Sequence, residues 1–108
     1  MIAQDLRYWV GFNMVRGIAA ARFRALLDYF GDLETAWNAS VHDLRQAGLD
    51  KRSVDNLLAA RKALNLDDEL KSLEKENVDV LTWENETYPA NLREIYNAPP
   101  VLYVKGQI

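Results

Sequence analysis

The residues best suited to chemistry lie between positions 14 and 27: Met14-Val15-Arg16-Gly17-Ile18-Ala19-Ala20-Ala21-Arg22-Phe23-Arg24-Ala25-Leu26-Leu27. Two helical runs joined by a short glycine turn have the layout of a helix-hairpin-helix. In such a turn glycine lets backbone N–H groups face outward toward one phosphate, and the second helix adds the positive end of its dipole. Ile18 would then plug the turn into the core, with Arg16 and Arg22 flanking the anion. Recognition of this kind reads the backbone rather than the bases, so it is independent of sequence and sensitive to salt. The usual order is glycine, apolar, glycine, but position 19 is Ala. A methyl group there is expected to hinder a positive φ and close approach of a phosphate. A second turn, Gly48-Leu49-Asp50-Lys51-Arg52-Ser53, adds Lys51 and Arg52 to the candidate phosphate contacts but sets the Asp50 carboxylate where an anion would sit. Three readings of the first turn stay open: it merely packs, it touches DNA, or it touches protein.

Other chemistry finds little support. The chain has no cysteine and one histidine, which excludes a disulfide scaffold, a thiolate zinc site, a cysteine nucleophile and a histidine-rich metal centre. His42, beside Ser40, reads as a surface residue. Asp67, Asp68 and Glu69 suit the start of a helix, where the macrodipole favours acids, better than they suit a metal. Trp9, Trp37 and Trp83 are spaced as core or interface residues. Tyr88, Tyr96 and Tyr103 are capable of stacking on bases, but they equally suit a junction between two parts of the fold. There is no phosphate-binding glycine loop, nucleophile elbow or acid–base pair, so no enzyme and no cofactor are expected.

The elements that must position the hairpin follow from periodicity. The chain has 108 residues, 49% hydrophobic and 27% charged, the composition of an ordinary globular protein about one domain long. Leu6, Val10 and Met14 predict a helix over about 3–14. Phe23, Leu26, Leu27 and Phe30 predict a second over 19–30, closed by Gly31. Asp32 caps a short helix to about Asn38, Ser40 opens a turn or two ending at Gly48, and Asp50 caps a longer helix to about Leu64. About five short helices therefore fill residues 1–65.

Leu66, Leu70 and Leu73 then continue as a helix to about Asn77. Val78 to Trp83 reads as a strand, Asn91 to Ile95 as a single helical turn, and Val101 to Val104 as a second strand closed by Gly106. Two strands and a helix rarely stand alone as a layer, and four consecutive apolar residues suit a strand covered on both faces. The expected arrangement is α+β: a helical domain over 1–65, then the truncated start of a further α/β domain over 66–108. Strand pairing with a second copy is the competing explanation. Charge follows the same division. Residues 1–65 hold nine basic and seven acidic side chains, and residues 66–108 four and nine, so a polyanion suits the first part better. No apolar run approaches the roughly 20 residues of a membrane helix. Met1 to Arg7 mixes acid and base where a signal peptide needs apolar residues, so a soluble, cytoplasmic protein is expected.

Several segments together resemble the DNA-processing protein A family, DprA, also called Smf. Tyr8-Trp9-Val10, Val15-Arg16-Gly17-Ile18, Leu26-Leu27-Asp28-Tyr29-Phe30-Gly31 and Leu44-Arg45-Gln46-Ala47-Gly48-Leu49 are similar to its helical N-terminal region. The tail words are more specific: Val80-Leu81-Thr82, Tyr88-Pro89-Ala90-Asn91-Leu92-Arg93-Glu94-Ile95 and Ala98-Pro99-Pro100-Val101-Leu102-Tyr103-Val104-Lys105-Gly106. They resemble the entry into the family's Rossmann-like domain. The resemblance implies a helix-hairpin-helix or SAM-like N-terminal domain with an accessory role. It also implies a whole protein that binds single-stranded DNA, forms dimers, and helps load the RecA recombinase during natural transformation. The family's glycine-serine-arginine DNA-binding motif has no counterpart among these residues.

Overall fold

The computed structural model describes residues 6–105. Its elements run α1 (Leu6–Asn13), α2 (Ala20–Phe30), α3 (Leu33–Trp37), α4 (Val41–Gln46), α5 (Lys51–Ala63), α6 (Leu66–Lys75), β1 (Val78–Thr82), α7 (Ala90–Arg93) and β2 (Val101–Lys105). The order and type expected from periodicity are met throughout, with bounds shifted by a residue or two. The expected residues 3–5 of the first helix and Gly106 lie outside the described residues.

Local chemistry sets the helix starts. Asp32 accepts from the Thr35 N–H at 2.7 Å, Ser40 from Asp43 at 3.1 Å and Asp50 from Ser53 at 2.9 Å. Asn65, which the sequence reading passed over, caps α6 by accepting from Asp68 at 3.0 Å. Each cap satisfies an amide left orphaned in a first helical turn. α2 differs: Ala19 offers it no side-chain cap. The far end of α2 closes as expected, with the Gly31 N–H returning to the Leu27 carbonyl at 2.8 Å.

The core is aromatic and draws on both ends of the chain. Phe12 meets Trp37 edge-on at 5.1 Å, and Trp9 stacks on Phe23 at 5.8 Å. Trp83, from just after β1, presents an edge to both Trp9 and Phe23 at 6.2 Å. All three tryptophans are thus structural, and such ring pairs contribute about 0.5–1.5 kcal/mol each beyond their burial. α6 lies along α1. The approach needs Gly11, since a Cβ there would stand 2.9 Å from Leu66 Cδ2 and 3.0 Å from Trp37.

β1 and β2 form an antiparallel pair, from Val78 opposite Lys105 to Thr82 opposite Val101. Val101 joins the aromatic core, whereas Tyr103 and Val104 are each 43% exposed. The four apolar residues of this strand therefore split, the first covered and the last two open. Residues 83–100 are tied down by their own polar groups. The Tyr88 hydroxyl donates to the Pro99 carbonyl at 2.6 Å, and Arg93 donates to the carbonyls of Trp83 and Asn85 at 2.8 and 2.6 Å. Among the described residues no helix is long and apolar enough to cross a membrane.

Candidate functional site

The α1–α2 turn leaves α1 at Asn13 and enters α2 at Ala20. Ile18 is buried and joins the core, as the plug of a hairpin should. Gly17 carries the one positive φ of the turn, +92°. Ala19 does not need glycine: its φ of −119° and ψ of −161° are extended backbone open to any residue. The expected conformational penalty at position 19 is therefore absent, and only its methyl group distinguishes it from the usual hairpin.

The second glycine turn proves to be the first one's support. α5 starts directly against the α1–α2 turn. Asn56 Nδ2 donates to the Arg16 carbonyl at 2.9 Å, and the buried Ser53 hydroxyl, shared with the Asp50 carboxylate, lies 3.4 Å from the Gly17 carbonyl. A Cβ on Gly17 would lie 2.8 Å from Ser53 Oγ, so the close approach also requires glycine. Ser53 and Asn56 escaped the sequence reading because they lie 36 and 40 positions from the atoms they hold. The one signal for Ser53 was its place three residues after the Asp50 cap.

Arg22 bridges the two turns. It donates to the Gly17 carbonyl at 3.4 Å and pairs with the Asp50 carboxylate at 3.7 Å. Hydrogen bonding by Ser53, its side chain first and then its backbone N–H, holds the Asp50 carboxyl below the usual carboxylate range; burial opposes this slightly and Arg22 adds to it. The carboxylate expected to repel an anion is thus committed to the α5 amides and to Arg22. Lys51 pairs with Asp55 at 3.0 Å. Arg16 and Arg52 are exposed and have no ion-pair partner among the described residues.

The six residues singled out from the sequence, Arg16, Gly17, Ile18, Arg22, Lys51 and Arg52, therefore gather around the α1–α2 turn and the start of α5. The heads of α2 and α5 meet there, and each carries cations and no acid in its first turn: Arg22 in α2, Lys51 and Arg52 in α5. A cation at a helix's positive end is unfavourable by about 0.3–1 kcal/mol, the reverse of the usual pattern. α3, α4 and α6 follow that pattern, opening with Glu34, with Asp43, and with Asp67, Asp68 and Glu69. Chemically, the α2–α5 end is suited to hold an anion.

Of the remaining candidates, Asp67 and the tyrosines make contacts within the fold. Asp67 pairs with Arg7 at 2.8 Å, and no group of three metal-ligating side chains occurs among the described residues. His42 is exposed on α4. Tyr103 accepts from Asn13 Nδ2 at 3.3 Å, linking β2 to α1. Tyr96 and Trp83 flank the Arg24 guanidinium at 5.7 and 4.9 Å, while Arg24 donates to the Tyr96 carbonyl at 2.8 Å. These tyrosines join the helices to the tail.

Comparison with known proteins agrees with the resemblance read from the residues. The chain is similar over its whole length to Protein Smf of Synechocystis sp., with 29% identity over 109 aligned positions. It spans 27% of that relative's length. No protein-family model matches the chain, and no solved structure matches it.

Proposed function

We propose that the chain is an accessory, non-catalytic module of a DprA-like protein that handles single-stranded DNA, and that it meets phosphates through the joined heads of α2 and α5. The carrying observation is the set of cations placed against the local dipole at both helix heads. Arg22 and Lys51 spend part of their charge on Asp50 and Asp55, whereas Arg16 and Arg52 have no ion-pair partner among the described residues, so an external anion is their natural counterpart. Similarity to Protein Smf along the whole chain supplies the setting.

In this reading residues 1–65 are a helix-hairpin-helix or SAM-like domain. Residues 66–108 begin a Rossmann-like domain whose further strands cover the open face of the β-pair. The antiparallel register fits a strand pair at the margin of an otherwise parallel sheet. RecA loading during natural transformation, dimer formation and a cytoplasmic location follow from the DprA resemblance and belong to the whole protein.

Contacts made only to backbone phosphates bind weakly and fade with salt. The test is a titration of labelled single strands with this chain at two salt concentrations. The reading expects weak binding that falls steeply as salt rises. Tight binding by this chain alone would overturn the accessory role and favour a self-contained DNA-binding hairpin.

A further inference from the structure

Beside the α2–α5 head lies an apolar pocket of about 320 Å³, lined by Met14, Val15, Ala59, Ala60, Ala63 and Leu64, with Arg16 and Asn56 also on its wall. Of its lining, Val15 belongs to the buried core and Ala60 and Leu64 pack against it. Met14 is 47% exposed, an unusual place for a flexible apolar side chain. Along α5 the spacing puts Arg52, Asn56, Ala59 and Ala63 on one face, so an exposed cation, an amide and two methyl groups follow in line. The alanines keep this shelf shallow and open, while Arg16 and Arg52 give its near end positive charge.

We infer that this pocket receives the base of an unpaired nucleotide whose phosphate is held at the adjacent cations. The inference rests on the phosphate-contacting role proposed above and goes beyond it by adding a base-binding site next to the phosphate contacts. Three features select this occupant. The shelf from Asn56 to Ala63 is about 10 Å long at 1.5 Å per residue, too short to seat a partner helix of ordinary length but enough for one flat ring. The one charged side chain lining the shelf, Arg16, sits at one end, matching a ligand that is anionic at one end and apolar at the other. Asn56 spends a donor on the Arg16 carbonyl, which leaves its Oδ1 as an acceptor for an exocyclic amine. Sulfur and methyl groups offer a base an apolar surface, and a paired base stays stacked inside its duplex and cannot reach the shelf.

The experiment is an NMR titration of the 108-residue chain, following the methyl groups of Met14, Ala59 and Ala63. The ligands are a short cytosine-rich single strand, the duplex of the same sequence, inorganic phosphate, and an acidic peptide carrying one leucine. The inference expects these methyls to shift with the single strand and stay still with duplex and phosphate. Replacing Ala59→Leu and Ala63→Leu, both at exposed helical positions, fills the shelf and should weaken single-strand binding about tenfold with duplex binding unchanged. Equal shifts with duplex or phosphate would overturn the inference, as would an unaltered single-strand affinity in the filled variant. Shifts with the peptide alone would overturn it in favour of a protein partner. The two proposals fail separately. If no nucleic acid binds in a salt-dependent way, the phosphate reading falls; if binding depends on Arg16 and Arg52 but the methyls stay silent, only the base pocket falls.

Discussion

The heads of α5 and α6 show opposite uses of the same device. Both helices begin with a capping side chain, Asp50 and Asn65, accepting from the third residue of the helix. α6 then follows electrostatics, with three acids in its first turn and Lys75 in its last. α5 defies it with Lys51 and Arg52 at its positive end, and α2 beside it does the same with Arg22 and no cap. One helix is arranged for stability alone. The other pair sets cations at its positive ends, with Arg22 and Lys51 answered by Asp50 and Asp55 and Arg52 left open.

The largest expected effect tests whether the two regions share a core. Trp9→Ala removes a fully buried ring that touches Phe23 of α2 and Trp83 of the tail. It should cost about 3–5 kcal/mol. Circular dichroism of the helices and hydrogen exchange at β1 should lose stability together; loss in the helices with β1 unaffected would separate the regions. Next, Gly17→Ala should cost about 1–2 kcal/mol, from its positive φ and the displaced Ser53. Gly31→Ala has a similar φ but nothing within 4 Å and should cost less, which chemical denaturation would show.

Charge reversal at the two heads should act in opposite directions. Arg52→Glu is expected to stabilise by about 0.3–1 kcal/mol and Asp68→Arg to destabilise by a similar amount, both at low salt. If both destabilise in urea titrations, the contrast between α5 and α6 fails. The smallest effect is that of pH. Asp32 and Asp50 are held below their usual range, chiefly by hydrogen bonds from the backbone of Thr35 and from Ser53. A depressed native pKa means the unfolded chain takes up protons first. Their contribution is therefore whole above about pH 4 and is lost as pH falls through the native values. Asp50→Asn should flatten that acid limb of the stability curve.

Most of the fold is legible in the residues because its determinants are local. Gly31, Asp32, Ser40 and Asp50 mark helix ends by their own chemistry, and the apolar spacing names the buried faces, Ile18 included. What escaped is long-range. Nothing near Gly17 announces that Ser53 and Asn56 will hold its turn, nor that Asp50 will be drawn to Arg22. At Ala19 the hairpin pattern predicts a φ reversal that the turn places wholly at Gly17. The charge inversion at α2 and α5 was present in the sequence. That the two heads are neighbours is not marked by any local pattern.

The central claim is that these neighbouring heads hold phosphate, and the salt dependence of single-strand binding tests it most directly. For the unaltered chain and for Arg16→Gln/Arg52→Gln, fluorescence anisotropy would give log affinity against log salt. Loss of two phosphate contacts predicts a weaker complex and a slope shallower by about 1.4. Unchanged affinity and slope in the double variant would contradict the account.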